Sequence, residues 1–344
     1  MSRLDYARLT EGVMESRRTF LRALTIAAAA TGVRPRRADA EPPPETTKLR
    51  LYKFPGICLA PQYVAGDLLR AEGFTDLQYL DFPEGAVGVY DRVASGAVDF
   101  TQWYGVPFIE EIDKGKPVVL LAGVHTGCTE LVATQRVRAI RDLKDKTVAI
   151  AFGSPATSIL AAMLSYLGLD HRKDVRFVTH TPAESVQLLA AGKIDAFLAL
   201  PPIVQELRAK KIGHAVVNTA LDRPWSQYFC CMFVGNKEFV RKHPVATKRV
   251  LRAVLKADQI CALEPERVAR SIVDRGFTKS YEYALQTMKD VPYGKWRQYD
   301  PEDTVRFYAL RLREAGLIKG TPQKILADGA DWRFLNELKK ELKS

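Results

Sequence analysis

Gly153-Ser154-Pro155-Ala156-Thr157-Ser158 follows an apolar run and leads into a helical one. At such a turn the free N–H groups of the first helical turn and the positive end of the helix attract an anion, and the Ser154 and Thr157 hydroxyls add donors. The same residues also read as a plain cap, with Ser154 capping and Pro155 at the first helical position. Trp103-Tyr104-Gly105 ends a strand-like run, where two rings either wall a ligand that Gly105 lets approach or fill a core. His125-Thr126-Gly127-Cys128 closes the apolar run 118–124; Gly127 permits an unusual backbone angle, and His125 alone reads as structural rather than catalytic. Leu200-Pro201-Pro202 reads as a turn. No nucleophile–base–acid set and no G-x-x-x-x-G-K loop occurs in the chain, so the expected chemistry is binding, with no catalytic residue assigned.

The five cysteines, Cys58, Cys128, Cys230, Cys231 and Cys261, are odd in number and include no C-x-x-C; no His stands at metal-ligand spacing. Neither a disulfide framework nor a zinc site is indicated, so the expectation is buried free thiols, no metal and no cofactor. In Trp225-Ser226-Gln227-Tyr228-Phe229-Cys230-Cys231-Met232-Phe233 the adjacent thiols would point to opposite faces of a buried strand.

Alternating apolar runs and helical patterns must position these residues. Strands are expected over 49–54, 77–82, 99–103 and 118–124, with helices over 61–72, 86–95 and 106–114 between them. The pattern restarts with strands over 147–152, 175–179, 194–200 and 215–217, and helices over 156–167, 183–191 and 203–210. Such β-α alternation argues for mainly parallel sheets covered by helices. Val93-Ala94-Ser95-Gly96-Ala97-Val98-Asp99-Phe100 and Leu189-Ala190-Ala191-Gly192-Lys193-Ile194-Asp195-Ala196 resemble each other, each joining a helix, a glycine cap and a strand. From Asn236 onward the chain reads as helical, over 237–242, 244–263, 265–275, 301–315 and 331–342, with Pro244, Pro265 and Pro301 suited to first turns.

Ala60-Pro61-Gln62-Tyr63-Val64-Ala65, Gly96-Ala97-Val98-Asp99, Asp142-Leu143-Lys144-Asp145-Lys146-Thr147-Val148-Ala149, Gly168-Leu169 and Gly192-Lys193-Ile194-Asp195-Ala196 with Pro201 stand in an order that resembles a known family. It is that of the periplasmic solute-binding proteins of ABC transporters, the nitrate, sulfonate and taurine group that includes thiamine-pyrimidine-precursor binders. The resemblance covers most of 48–245. It implies a two-lobed periplasmic-binding-protein-like α/β fold with mainly parallel sheets, a helical C-terminal region and a ligand between the lobes. The implied division is 48–134 in lobe 1, 135–217 in lobe 2, and 218–344 returning to lobe 1 with the C-terminal helices. It directs Phe54, Cys58 and Tyr63 to the cleft, beside Trp103, Tyr104, Gly127, Cys128, Ser154, Thr157 and Pro201. A small anionic or zwitterionic solute and an inner-membrane ABC permease are the implied partners, and the protein is expected to be a monomer. An alternative is a pyrimidine-synthesis enzyme of the same fold, which Cys230, Cys231 and Phe233 resemble in part, though no matching catalytic histidine lies near the first strand. A ligand-sensing partner of a membrane receptor would use the same cleft.

Ser16-Arg17-Arg18-Thr19-Phe20-Leu21 precedes an alanine-rich run over 24–33 and Ala38-Asp39-Ala40. A twin-arginine pair, an apolar run of ~10 residues and a small-x-small site read as an export signal, too short for the ~20 residues of a membrane span. The expected mature chain starts near Glu41 in the periplasm, with 41–47 as a proline-rich spacer. Residues 1–40 hold eight Arg and four acids, so cleavage lowers the formal net charge from +11 to +7. The bases are scattered rather than interleaved with aromatics, which argues against nucleic-acid binding.

Overall fold

The computed structural model describes residues 41–82, 88–151 and 153–342. The expected export signal and cleavage site lie outside them, as do the first residues of the helix expected over 86–95. Two five-stranded sheets carry the fold. The first holds β1 (Lys48–Tyr52), β2 (Asp76–Leu80), β3 (Phe100–Tyr104), β4 (Val118–Thr126) and β10 (Phe229–Asn236), in the order β2-β1-β3-β10-β4. The second holds β5 (Glu130–Ala133), β6 (Thr147–Ile150), β7 (Arg176–Thr179), β8 (Ala196–Ala199) and β9 (His214–Asn218), in the order β7-β6-β8-β5-β9. In each sheet four strands share one direction and a single strand, β10 or β5, runs against its two neighbours. Both β3 and β4 are buried at every residue, as strands covered on both faces must be.

The similar segments around Gly96 and Gly192 occupy equivalent joints. Each glycine takes a positive φ, +73° and +65°, after a helix. Each following aspartate then clamps a neighbouring parallel strand of its own sheet, β1 or β6. Asp99 accepts the Arg50 backbone N–H at 2.7 Å and pairs with the Arg50 guanidinium at 2.6 Å; Asp195 accepts the Thr147 N–H at 2.8 Å and pairs with Arg136 at 2.6 Å. A short acid at that position accepts a strand N–H group, mid-strand at Arg50 and at the strand start at Thr147.

The helix Pro301–Glu314 packs on both Gly105–Asp113, which follows β3, and Ala156–Tyr166, which follows β6. Its Phe307 stacks on Tyr228 at 4.0 Å, and its Thr304 hydroxyl accepts the Phe229 N–H at 3.1 Å. Helices Tyr281–Asp290 and Pro322–Gly329 were not expected from periodicity; each is announced by a cap, Ser280 or Thr321. Among the described residues no helix is long and apolar enough to cross a membrane.

Candidate functional site

The topology turns the two sheets' carboxyl edges toward each other. β4 ends at Thr126, and after three intervening residues β5 begins at Glu130, opposite Ala199 and Asn218 at the ends of β8 and β9. The chain returns from Asn218 to β10, whose Phe229 and Cys231 face Thr126, His125 and Tyr104 at the ends of β4 and β3. Both crossings therefore join carboxyl edges, the place where open parallel sheets offer loops and helix starts to a ligand. The first crossing lies at 127–129, ahead of the expected boundary at 134, because residues 130–133 pair within the second sheet.

The crossings lie against each other. Thr129 N–H donates to Thr219 Oγ1 at 3.0 Å, and Thr219 N–H and hydroxyl both donate to the Thr129 carbonyl, at 3.0 and 2.8 Å. Gly127 has φ +29°, and a Cβ there would lie 2.2 Å from the Thr219 carbonyl group and Ala220 N. Only a residue without a side chain lets the segments touch.

Sulfur gathers at the carboxyl edge of the first sheet. All five cysteines are buried and free. Cys58 follows β1, His125 is the penultimate residue of β4, Cys128 lies on the crossing and Cys231 is the third residue of β10; their donor atoms all lie within 4.8 Å of one another. Cys230 Sγ sits 3.2 Å from Cys128 Sγ, and the Tyr104 hydroxyl touches Cys58 Sγ at 3.6 Å and Cys128 Sγ at 3.7 Å. The expectation that Cys230 and Cys231 diverge is corrected here. The β10–β4 register shifts between Phe229 and Cys231 and again before Met232, and this bulge breaks the alternation so that both sulfurs converge on Cys128. Contact with Cys128 holds the Cys58 thiol up at about 12, burial raises Cys128 and Cys231, and contacts from Cys128 and Cys231 draw Cys230 down to about 6. Burial also keeps His125 neutral. The H-x-x-C of His125 and Cys128 corrects the reading that no His stands at metal-ligand spacing, since the two ligand atoms lie together; their approach to Cys58 and Cys231 had no signal in the sequence.

The sequence-derived site residues fall into three groups. Phe54, Trp103 and Tyr104 form one aromatic wall, Phe54 edge-on to Trp103 at 5.0 Å and Trp103 edge-on to Tyr104 at 5.9 Å, adjoining Cys58, Gly127 and Cys128. Phe54 is half-buried, whereas Trp103 is buried to 1% exposure and bears on Tyr52 as well, which makes it part of the core. Gly105 approaches no open space: a Cβ there would meet Met232 Sδ at 2.7 Å. Tyr63 stands apart, stacked on Phe277 at 3.8 Å, its hydroxyl donating to the Phe54 carbonyl at 2.5 Å and accepting the Phe54 N–H at 3.0 Å. It orients the loop that carries Phe54. On the second sheet, Ser154 Oγ accepts the Ala156 N–H at 3.1 Å, so its lone pair serves the turn, while Thr157 is half-buried in the first helical turn and Pro201 is buried after β8. In the same helix, the Ser158 hydroxyl reaches Glu110 of Gly105–Asp113, whose carboxyl burial raises.

The carboxyl edge of the second sheet is ionic, and sequence reasoning missed it. Glu130, at the start of β5, pairs with Arg208 and accepts from Asn218 Nδ2 at 2.6 Å. Arg208 also pairs with Asp290 at 2.6 Å, and Gln205 donates to the same carboxylate at 3.2 Å. Nothing in their spacing, 78 and 82 residues apart, announced the contacts.

Residues 42–274 match the NMT1-like family. The nitrate/nitrite binding protein NrtA of Nostoc sp. (strain PCC 7120) is 21% identical over 262 residues, 69% of this chain and 59% of its own length. The taurine-binding periplasmic protein of Escherichia coli (strain K12) is 24% identical over 204 residues, 59% of this chain and 62% of its own length. The alignments thus span about three fifths of these two relatives. The crystal structure of the periplasmic nitrate-binding protein NrtA from Synechocystis PCC 6803 superimposes with a TM-score of 0.69 at 16% identity, covering 88% of this chain and 90% of that one. At that identity the likeness is one of fold, and the fold is the two-lobed α/β arrangement expected from the sequence.

Proposed function

The chain belongs to the NMT1-like family, and from that premise we propose that it is the solute-binding component of an ABC importer, taking a small anionic or zwitterionic solute between its two carboxyl edges. The observation that carries this reading is one of topology: both crossings join carboxyl edge to carboxyl edge, so the start of Ala156–Tyr166, which follows β6, and the half-buried Phe54, which follows β1, come from the carboxyl edges of different sheets. The relatives support the same class, one being a nitrate/nitrite binding protein and the other a taurine-binding periplasmic protein. In this reading the protein works as a monomer in the periplasm after twin-arginine export, hands its solute to a permease in the inner membrane, performs no catalysis and binds no nucleic acid.

The helix start supplies the charge preference. Arg208, the cation at the second edge, is already engaged by Glu130 and Asp290. Ser154 Oγ takes the Ala156 N–H, and the rest of the first turn of Ala156–Tyr166, with its dipole and the Thr157 hydroxyl, is left to receive an anionic group. Thermal unfolding of the chain from Glu41 onward, screened against nitrate, alkanesulfonates, taurine, carboxylates and pyrimidines, tests the reading. A true solute at a hundred times its Kd adds about 2.7 kcal/mol to native stability. Phe54→Ala and Thr157→Ala should each weaken calorimetric affinity by roughly tenfold, the loss of one contact of ~1.4 kcal/mol. Trp103→Ala is a poor probe, because deleting so buried a ring costs about 3–5 kcal/mol of folding stability. No response to any solute class, or unaltered affinity in both variants, overturns the proposal.

A further inference from the structure

We propose that Cys58, His125, Cys128 and Cys231 form a binding site for one tetrahedral thiophilic cation of the Zn2+ class, built into the carboxyl edge of the first sheet. Three thiols and one imidazole are a donor set that closes a four-coordinate zinc site. At a Zn–S distance of about 2.3 Å, tetrahedral geometry separates the sulfurs by about 3.8 Å. The donor atoms already lie within 4.8 Å of one another, so contraction by about 1 Å or less completes the shell.

A second observation concerns the imidazole alone. His125 is fully buried, and each ring nitrogen faces a carbonyl: Nδ1 lies 3.2 Å from Thr126 O and Nε2 lies 3.1 Å from Cys58 O. A neutral ring has one N–H, so one of these contacts sets a lone pair against an oxygen. The Cys58 carbonyl already accepts from Gln102 Nε2 at 3.0 Å and from the Tyr293 hydroxyl at 3.1 Å, which uses both its lone pairs. The proton therefore belongs on Nδ1, bonded to Thr126 O, and Nε2 is left with a lone pair that its own carbonyl neighbour cannot fill, on a buried ring that lies within 4.8 Å of three thiols. A histidine with one nitrogen fixed by a backbone carbonyl and a lone pair on the other has the tautomer of a metal ligand.

Loading a divalent ion displaces the three thiol protons to solvent and leaves three thiolates and a neutral imidazole around it, with no change of oxidation state. Cys230 stays outside the set, with its sulfur packed on Cys128. Because Cys128 lies on one crossing and Cys58, His125 and Cys231 lie in or beside the first sheet, the ion would pin that crossing to its sheet.

The full chain, reduced and stripped with a chelator, is titrated anaerobically with Co2+ as a spectroscopic stand-in and then with Zn2+. The expected result is one ion per chain, a thiolate-to-cobalt charge-transfer band that zinc bleaches, and a higher Tm for the zinc-loaded protein. Cys231→Ser and His125→Ala should each lower zinc affinity at least ~tenfold, while Cys261→Ser, a buried cysteine outside the cluster, should leave it unchanged. The wild-type band and stoichiometry decide the matter even if a variant fails to fold. Absence of the band in the reduced wild-type chain overturns the site. So does recovery of a Cys128–Cys230 disulfide with no ion uptake after its reduction, and so does equal uptake by the wild type and a folded Cys231→Ser variant.

Discussion

The carboxyl edges of the two sheets have the same construction and opposite chemistry. In each, two parallel strands flank the first residues of one reversed strand, β10 or β5, beside a chain crossing between sheets. At β10 those residues include Cys230 and Cys231, sealed among thiols, Tyr104 and His125; at β5 the first residue is Glu130, paired with an Arg208 that keeps about a third of its side chain in solvent. Equal topology thus leaves the interactions open. A dry edge uses soft, weakly hydrated sulfur, which tolerates burial, whereas an edge near water affords a charge only when a long side chain brings a counter-ion to it. The ionic edge also reaches beyond its sheet, because Arg208 bonds Asp290 at the end of Tyr281–Asp290.

The largest effect should come from uncoupling the edges altogether. Gly127→Ala drives a methyl into the Thr219–Ala220 backbone at a positive φ, and chemical denaturation should register a loss of about 3 kcal/mol or more. A loss under 1 kcal/mol would mean that the crossings are not in fixed contact.

Next, Arg208→Ala strands the Glu130 carboxylate, whose side chain is 3% exposed. The expected cost is about 2–3 kcal/mol, below that of a wholly buried pair because Arg208 meets solvent. Glu130→Gln with Arg208→Met should recover much of it. If the double variant is no more stable than Arg208→Ala, the ionic edge is not limited by desolvation.

The smallest effect is one of pH, and its sign differs between the edges. Burial, partly offset by Arg208, raises the folded pKa of Glu130, so the folded state holds the proton longer and this group's contribution falls as pH rises upward from about 4.3. Cys230 is drawn down to about 6 by Cys128 and Cys231, against about 8.5 unfolded. Its contribution is complete above about 8.5 and is lost as pH falls through 6. Stability of the metal-free protein, measured by denaturation from pH 6 to 8.5, should rise with pH, and Cys230→Ser should flatten that rise. An unchanged slope in the variant would remove the thiolate from the sulfur edge.

Much of this architecture was legible because it is local. Strands β1–β4 and β6–β9, the helices between them and the twin glycine-to-aspartate joints follow from periodicity, caps and turn residues within windows of a few residues. β5 escaped because its four residues start directly after a crossing and carry Glu130, which reads as loop until Arg208 is seen beside it. The phase of β10 failed at Cys230, since a bulge depends on the partner strand and leaves no local mark. Of the proposed site, the Phe54–Trp103–Tyr104 wall and the Cys58–Cys128 contact came together as a group, while Tyr63 turned to support the loop that holds Phe54.

By itself the sequence determined the two α/β units, their helical C-terminal region and the kind of residues each strand end would present, because periodicity, capping and backbone preference act between near neighbours. The tertiary structure alone decided that four thiols and an imidazole meet at one edge and that Glu130 meets Arg208 at the other. His125 meets Cys58 across 67 positions, Arg208 meets Glu130 across 78 and Cys230 meets Cys128 across 102, each brought within reach only by strand order and by the two crossings. At such separations it is the burial of whole sheets, not any local preference, that determines which side chains share an edge.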